Sequence, residues 1–186
     1  MHKINIIYLA EEFARKAHAN DDVGKSINGV MRMRVVHLQE VADLVWASGG
    51  SDTEIAAAWL HDSVEDTVTT LQDIKEKFGY EVASIVEGLT DLDGFKDLPT
   101  LERKTKQAER VKSESDSVKR VKIADQTSNV RLVVTEPPLD WEPENNLQYI
   151  AGAKLIVDQC KGVSLMMEEL FYKEYKKGAE KYELPL

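Results

Sequence analysis

The stretch AAAWLHDSVEDT, residues 56–67, places four ionisable side chains, those of one histidine, two aspartates and one glutamate, in an alanine-rich run. Its spacing predicts a helix on which Glu65 lies one turn beyond His61, and Asp66 lies one turn beyond Asp62. These side chains would form one polar patch, and a second face would pack into a core through Ala57, Leu60 and Val64. Surface helices also carry such patches, so the stretch alone does not distinguish a functional site from a solvated face.

A second helical stretch carries a carboxylate where an apolar residue is expected. In SDSVKRVKIADQTSNVRLVV, residues 115–134, Asp125 falls about 20° from Val118 around the helix axis. It therefore lies inside the apolar stripe that also contains Val121 and Leu132. A buried carboxylate must be paired, protonated or bound to a metal, because an uncompensated buried charge is very costly.

A histidine, His37, is embedded among aliphatic residues in RVVHLQEVADLV, residues 34–45. Taken alone, it is better explained as a hydrogen-bonded histidine of the core. Together with His61, Asp62 and Asp125, however, it provides two nitrogen and two oxygen ligands from three helices. That set suits a borderline or hard divalent ion such as Mn²⁺.

Composition argues against several other classes of protein. The 186 residues are the size of one domain, so we expect a single domain over residues 1–186. We expect a cytoplasmic protein without a membrane partner, because no apolar run approaches a membrane span and no secretory signal pattern is present. The one cysteine, Cys160, is expected in the core. The net charge of −9 argues against binding to a nucleic acid polymer.

One segment of this acidic protein is basic. Between Arg103 and Arg131 the sequence has nine basic and four acidic residues. A local excess of positive charge is compatible with one small anionic ligand, although a solvated helix face explains it equally well.

Helical spacing recurs along almost the whole chain, and there is no alternating strand pattern of useful length. Ser51 and Glu54 form a capping box that starts the helix leading into residues 56–67. Pro137 and Pro138 cannot lie inside a helix and break the chain. We predict an all-α bundle of about eight to ten helices, with the others near residues 4–19, 34–47, 71–78, 81–90, 100–112, 117–134, 144–160 and 163–178.

Two motifs resemble the hydrolase domain of the RelA/SpoT family. The first is LHDSVEDT, residues 60–67, in which a Glu-Asp pair follows the His-Asp pair; the second is VKIADQTSNVR, residues 121–131, with Asp and Asn four apart. Many phosphohydrolases share the His-Asp pair, whereas the two motifs together are far more specific. The resemblance covers nearly the whole chain and extends to the stand-alone small alarmone hydrolases. It implies an HD-domain helical bundle.

The resemblance implies a manganese-dependent hydrolase that removes the 3′-pyrophosphate of ppGpp-type alarmones and releases GDP or GTP. It implies the metal ligands His37, His61, Asp62 and Asp125, and water activation by Glu65 and Asp66. It also implies that the substrate is contacted by Lys25, Asn129 and Tyr149. For Tyr149, a core aromatic residue is an equally good interpretation.

The segment before His37 departs from the family pattern. It reads VMRMRVVHLQ, residues 30–39, with no proline or tyrosine at the usual place and with Leu38 where a proline is usual. Arg32 and Arg34 could replace the positive charge lost there. The base and the phosphate pattern of the substrate are therefore open. The alternatives are the adenine counterpart of ppGpp, the 2′-phosphate of NADPH, and a module that binds alarmones or a partner without useful turnover.

Overall fold

The computed structural model describes residues 5–20, 22–26, 28–29 and 31–183. Within these residues the chain forms ten α-helices and two short strands, so the all-α fold class is confirmed. A 3₁₀ helix, Phe95–Asp97, precedes α7. The helices are α1 Ile6–Ala17, α2 Arg34–Ala47, α3 Asp52–Leu60, α4 Ser63–Asp66, α5 Leu71–Phe78, α6 Tyr80–Leu89, α7 Thr100–Val111, α8 Asp116–Thr135, α9 Pro143–Asp158 and α10 Leu165–Lys181.

Side-chain caps begin several of these helices. Ser51 and Glu54 form the predicted capping box at the start of α3: the Ser51 N–H donates to Glu54 Oε2 at 2.7 Å, and the Glu54 N–H donates to Ser51 Oγ at 3.2 Å. Ser115 caps α8 by accepting from the N–H of Val118. These bonds satisfy backbone donors that have no partner inside the helix, so they fix where each helix starts.

Helix α8 lies at the centre of the bundle. It contacts α2, α3, α6, α9 and α10. Eleven of its twenty residues are buried, because neighbours cover it on several sides. Polar side chains on α8 are therefore held in the interior, where they must find partners.

Helix α3 is buried along most of its length. Its residues from Glu54 to Leu60 are all buried, and it packs against α1, α2, α6 and α8. Three consecutive alanines, Ala56, Ala57 and Ala58, keep the side chains small at these contacts. Small side chains allow helix axes to approach closely, so α3 holds the residue that follows it, His61, deep in the protein.

The helix predicted over residues 56–67 is interrupted. Helix α3 ends at Leu60, a turn contains His61 and Asp62, and α4 begins at Ser63. Asp62 has φ −92° and ψ −7°, which departs from regular helical geometry. The prediction of one continuous helix is therefore wrong, because the backbone bends at the two residues that carry the His-Asp pair.

A small antiparallel hairpin precedes α2. Strand β1, Asp22–Lys25, pairs with strand β2, Met31–Met33. Strands of four and three residues are too short to show an alternating pattern, which is why the sequence does not predict them. The N–H of Leu139 donates to the Lys25 carbonyl at 2.9 Å, so the hairpin lies against the connection between α8 and α9.

Close packing of α7 against α9 depends on Gly152. A Cβ atom at this position would lie 2.5 Å from the Cβ and 2.6 Å from the Cγ of Lys104. Real atoms do not approach so closely, so only glycine allows α9 to press against the stem of this lysine. Gly152 thus sets the depth at which Lys104 enters the interior.

Cys160 is buried, as expected, and its thiol donates to the Ile156 carbonyl. Over the described part of the chain, none of the helices combines the length and the apolar character that crossing a membrane requires.

Candidate active site

His37, His61 and Asp62 converge on one point between α2 and the turn that follows α3. One ligand atom of each lies within 4.8 Å of the others. His61 Nε2 is 3.3 Å from His37 Nε2 and 3.2 Å from Asp62 Oδ1. Neighbouring residues of a straight helix point about 100° apart. The bend after Leu60 therefore lets His61 and Asp62 face the same point.

Asp125 of α8 joins this cluster. Its Oδ1 lies 3.5 Å from His37 Nε2 and 3.8 Å from His61 Nε2. The residue is buried, as its place in the apolar stripe predicts. Burial disfavours the charged form, but the Lys122 ammonium and the two histidines more than offset burial, so the pKa of Asp125 lies well below its usual value. Asp125 is therefore a carboxylate at neutral pH.

Both histidines are held by their outer ring nitrogens. His61 Nδ1 lies 2.7 Å from the carbonyl oxygen of Ala58, to which it donates, and His37 Nδ1 lies 2.9 Å from Ser128 Oγ. A neutral imidazole with its proton on Nδ1 has its lone pair on Nε2. Two such Nε2 atoms cannot hydrogen-bond to each other, but both can donate lone pairs to one cation.

The residues present fit a divalent metal ion. The two Nε2 atoms are joined by two carboxylates, and burial of Asp62 is outweighed by His61, His37 and Arg34, which lower its pKa. Imidazole nitrogens with ionised carboxylates are suitable ligands for borderline and hard divalent ions. The chemistry of this donor set is therefore that of a metal centre.

Arg34 connects the cluster to the following acidic pair. Its Nη1 donates to Asp62 Oδ2 at 3.1 Å, and its Nη2 lies 2.9 Å from Asp66 Oδ2. Lys96 Nζ lies 3.4 Å from the other Asp66 oxygen. Asp66 is therefore held between two cations, one of which also orients Asp62.

Glu65 lies in a different environment. Its Oε1 accepts the N–H of Asp91 at 2.7 Å. Burial raises the pKa of Glu65 to about 7; the Asp91 N–H opposes this shift and the Asp91 carboxylate adds to it. A carboxyl group that titrates near neutral pH can accept a proton in one step and return it in another.

A cleft of about 450 Å³ opens over the cluster. Most of the sequence-predicted residues line it: His37, Asp62, Glu65, Asp66, Asn129, Tyr149 and Asp125. Asn129 also donates to Asp125 Oδ1 at 2.6 Å, so it steadies this carboxylate. Lys25 does not line the cleft, and its side chain is exposed. Its backbone carbonyl accepts from Leu139, and the preceding residue, Pro138, lines the wall. The side chain of Arg32 is outside what the structure describes.

One part of the cleft wall combines a buried cation with aromatic rings. Lys104 Nζ donates to Gln126 Oε1 at 2.8 Å and lies 4.0 Å from the centre of the Tyr149 ring. Burial lowers the pKa of Lys104 to about 7. The Trp141 and Tyr149 rings are 5.2 Å apart, and burial raises the pKa of Tyr149. A bound anion would favour the protonated form of Lys104, so this wall offers a positive charge and flat apolar surfaces to an anionic ligand.

Arg103 adds a second cation to the same wall. It lines the cleft, and its Nε is buried without a hydrogen-bond partner among the described residues. Buried donors are nearly always satisfied. An unpaired guanidinium nitrogen in a cleft is therefore a candidate donor to a bound anion.

The sequence places Lys104 and Lys122 in the basic segment between Arg103 and Arg131 without indicating a separate role for either lysine. A signal for each was nevertheless present. Lys104 shares its helix face with Ala108 and Val111, four and seven residues on, and both are buried. Lys122 shares a face with Asp125 in the same way. The sequence indicates Arg34 only as replacement positive charge. Its ion pairs with Asp62 and Asp66, like the bond between Gln126 and Lys104, depend on contacts between elements that no local spacing predicts.

Comparisons with known proteins agree with this geometry. Residues 10–145 match the family model described as HD domain. A relative from Danio rerio, named guanosine-3′,5′-bis(diphosphate) 3′-pyrophosphohydrolase MESH1, is 33% identical over 165 residues, which are 87% of this chain and 85% of the relative. The relative of the same name from Xenopus tropicalis is 37% identical over 71% of this chain and 73% of its own length.

A solved structure is also similar. It is titled as a metazoan orthologue of SpoT that hydrolyses ppGpp and plays a role in starvation responses. It superposes with a TM-score of 0.82 and 26% identity, covering 100% of this chain and 99% of that one. The chain belongs to the HD-domain proteins and, among them, to the family of the MESH1 guanosine-3′,5′-bis(diphosphate) 3′-pyrophosphohydrolases.

Proposed function

We propose that this chain is a metal-dependent hydrolase that removes the 3′-pyrophosphate of guanosine 3′,5′-bis(diphosphate)-type alarmones. The observation that carries the proposal is the position of Glu65. It has a pKa of about 7 and lines the same cationic cleft as the His-Asp cluster. The names of the relatives support this substrate class.

The cofactor that we propose is Mn²⁺, held by His37, His61, Asp62 and Asp125. Carboxylate ligands favour a hard ion and imidazoles a borderline one, and Mn²⁺ lies in the borderline-to-hard range that this mixed set suits. When bound, a divalent ion lowers the pKa of a water molecule and neutralises charge on phosphoryl oxygens.

In the proposed reaction, water attacks the phosphorus bonded to the 3′ oxygen of the nucleotide. The bond between that phosphorus and the 3′ oxygen breaks, which leaves a 3′-hydroxyl on the nucleoside and free pyrophosphate. Glu65 takes the proton of the water, and Asp66, held by Arg34, orients the water. Because the pKa of Glu65 is near 7, its protonated form can then donate to the departing 3′ oxygen.

Side chains around the cleft provide the proposed substrate contacts. Arg103 and Lys104 supply positive charge for the phosphates, and Asn129 and Tyr149 line the space that the nucleotide would fill. Lys25 is proposed to act from the rim, through its charge, because its side chain is exposed outside the cleft wall.

We further propose that residues 1–186 form one domain and that the protein is cytoplasmic. Helix α8 packs on helices from both halves of the chain, which supports one domain. The one cysteine is a buried free thiol, which is compatible with a reducing compartment.

The test is product identification with three substrates. Manganese-loaded protein is incubated with ppGpp, its adenine analogue or NADPH, and the products are separated by chromatography. We expect GDP and pyrophosphate from ppGpp at the highest rate, and no products with Asp125→Ala. If NADPH were the only one of the three to react, releasing phosphate, ppGpp-type alarmones would not be the substrate class. If the protein bound ppGpp without turnover, it would be a binding module and not an enzyme.

A further inference from the structure

A series of hydrogen-bonded side chains runs from His37 to Ser128 and Glu40, and neither Ser128 nor Glu40 lines the cleft. His37 Nδ1 lies 2.9 Å from Ser128 Oγ, and Ser128 Oγ lies 2.7 Å from Glu40 Oε2. His37 and Ser128 are both buried. The three residues come from two helices only, because His37 and Glu40 share α2 and Ser128 lies on α8.

The position of each proton in this series of side chains follows from the number of hydrogen bonds that each group can donate and accept. A carboxylate only accepts, so the single hydroxyl proton of Ser128 goes to Glu40. The Ser128 oxygen can then only accept from His37, which places a proton on His37 Nδ1. In the neutral imidazole the lone pair is left on Nε2, which faces His61, Asp62 and Asp125.

Glu40, at the outer end of this series of side chains, is held by a cation. Arg131 of α8 forms an ion pair with Glu40 Oε1, and its Nη2 lies 3.5 Å from Glu174 of α10. A guanidinium donates and does not accept. Glu40 therefore presents one oxygen to Arg131 and the other to Ser128, and both of its oxygens act as acceptors.

We propose that Ser128 and Glu40 are positioning residues that set the tautomer of His37. Through them, His37 is held with Nδ1 protonated and with the Nε2 lone pair facing the metal centre. The proposal rests on the proposed function only in treating His37 as a metal ligand. Partners of this kind orient ligating histidines and raise their basicity, and their loss typically lowers metal affinity about 10- to 100-fold.

The sharpest variant is Glu40→Gln, which keeps the shape of the side chain but reverses the direction of the bonds. Because Arg131 only donates, the amide oxygen of the new residue turns to Arg131 and its NH₂ group faces Ser128. Ser128 then accepts from that amide, and its freed hydroxyl proton turns to His37 Nδ1, which accepts it when His37 carries its own proton on Nε2. The proton of a neutral His37 moves to Nε2, where it blocks the lone pair that would bind metal.

Two measurements test this reversal. The ring ¹⁵N shifts of His37 in the metal-free protein report the tautomer, and calorimetry with MnCl₂ reports metal affinity. We expect the Nδ1–H form in the normal protein, the Nε2–H form in Glu40→Gln, and about tenfold or greater loss of Mn²⁺ affinity in that variant. Ser128→Ala should also lower the affinity, and adding Glu40→Gln to it should then have no further effect.

Two control variants separate this role from simple packing or charge. Thr127→Val removes the buried hydroxyl of the residue next to Ser128 in the sequence. In the normal protein that hydroxyl donates to the Ile123 carbonyl. Glu174→Gln removes the other carboxylate that faces Arg131 without touching Ser128. Both should leave the His37 tautomer and the Mn²⁺ affinity unchanged.

The outcomes are distinct. An Nδ1–H His37 with normal Mn²⁺ affinity in Glu40→Gln would overturn the proposal, and so would equal losses in the control variants. Failure of the proposed function would appear separately, as a normal protein that binds Mn²⁺ but leaves ppGpp intact. The tautomer and affinity results would still stand in that case.

Discussion

The His-Asp cluster and the cationic wall of the cleft hold their polar side chains in different ways. In the cluster, His61 is fixed by a backbone carbonyl, and Asp125 is fixed by Lys122, Gln126 and Asn129. In the wall, Arg103 keeps an unpaired Nε, and the Lys104 ammonium has Gln126 and the face of Tyr149 as its contacts.

The two regions use binding energy for different ligands. The cluster is preorganised, so a cation entering it finds ligands already in place. The wall retains an unsatisfied donor, so an anion that reaches it gains a hydrogen bond that the protein alone does not make. Changes in the cluster should therefore affect metal binding and turnover, and changes in the wall should affect substrate affinity.

The largest effect is expected from Asp125→Ala. It removes a ligand and leaves Lys122 without its buried partner, so we expect it to abolish both Mn²⁺ binding and turnover. Mn²⁺ should raise the Tm of the normal protein but not that of the variant, because only a bound ligand stabilises the folded state. Asp116→Ala, at an exposed position of the same helix, is the control. Unchanged Mn²⁺ affinity in Asp125→Ala, by calorimetry, would remove Asp125 from the ligand set.

A smaller effect is expected from the double variant Glu65→Gln, Asp66→Asn. It should keep Mn²⁺ but lose turnover by at least about 10²-fold, the lower range for loss of a general base. Metal content and kcat are measured in the same samples, and the single variants assign the loss to one residue. Near-normal kcat would remove Glu65 and Asp66 from the proposed water activation.

The pH dependence gives the next effect. Water activation needs ionised Glu65, whose pKa is about 7 because of burial. Turnover should therefore rise with pH through about 7, and below that value it should fall about tenfold for each pH unit. The remaining activity of Glu65→Gln should lack this dependence. A flat profile between about pH 5.5 and 7 in the normal enzyme would contradict the role of Glu65 as the base.

The wall is tested by Lys104→Met, which keeps most of the aliphatic stem that packs on Gly152. We expect KM for ppGpp to rise about tenfold, which corresponds to about 1.4 kcal/mol, while Mn²⁺ affinity is unchanged. Lys112→Met, an exposed lysine of the same basic segment, should leave KM unchanged. If Lys104→Met instead lost metal, the separation between the cluster and the wall would be wrong.

The smallest effect is expected from Lys25→Ala. An exposed lysine outside the cleft wall acts through solvent, so we expect KM to rise by only about threefold at low salt and to become normal at high salt. Steady-state kinetics at two ionic strengths check this. A salt-independent rise of tenfold or more would mean that Lys25 contacts phosphate directly.

Sequence patterns predicted the cluster better than the wall for a physical reason. Asp125 and His37 stand out because each is a polar residue among apolar neighbours, and only burial with a partner explains that. Lys104 carries the same signal, but lysine is common on helix surfaces, and its partner Gln126 lies on another helix. Contacts between helices leave no fixed spacing in a sequence.

The backbone features that escaped prediction are short. The bend consists of two residues, His61 and Asp62, and the hairpin of β1 and β2 has only seven strand residues. Periodicity needs several turns or alternations before it separates a helix from a strand. The long helices α2 and α8, by contrast, agree with prediction to within about one residue at each end.

Gly152 links the stability of the fold to the range of ligands that the cleft can admit. A larger side chain there would move α7 away from α9 and withdraw Lys104 from Tyr149, which would widen this end of the cleft. The same change overpacks a helix contact, and overpacking typically costs about 1–3 kcal/mol. A variant that admits bulkier nucleotides through a larger residue at position 152 would therefore lose thermal stability. It would need a compensating mutation elsewhere before it could persist.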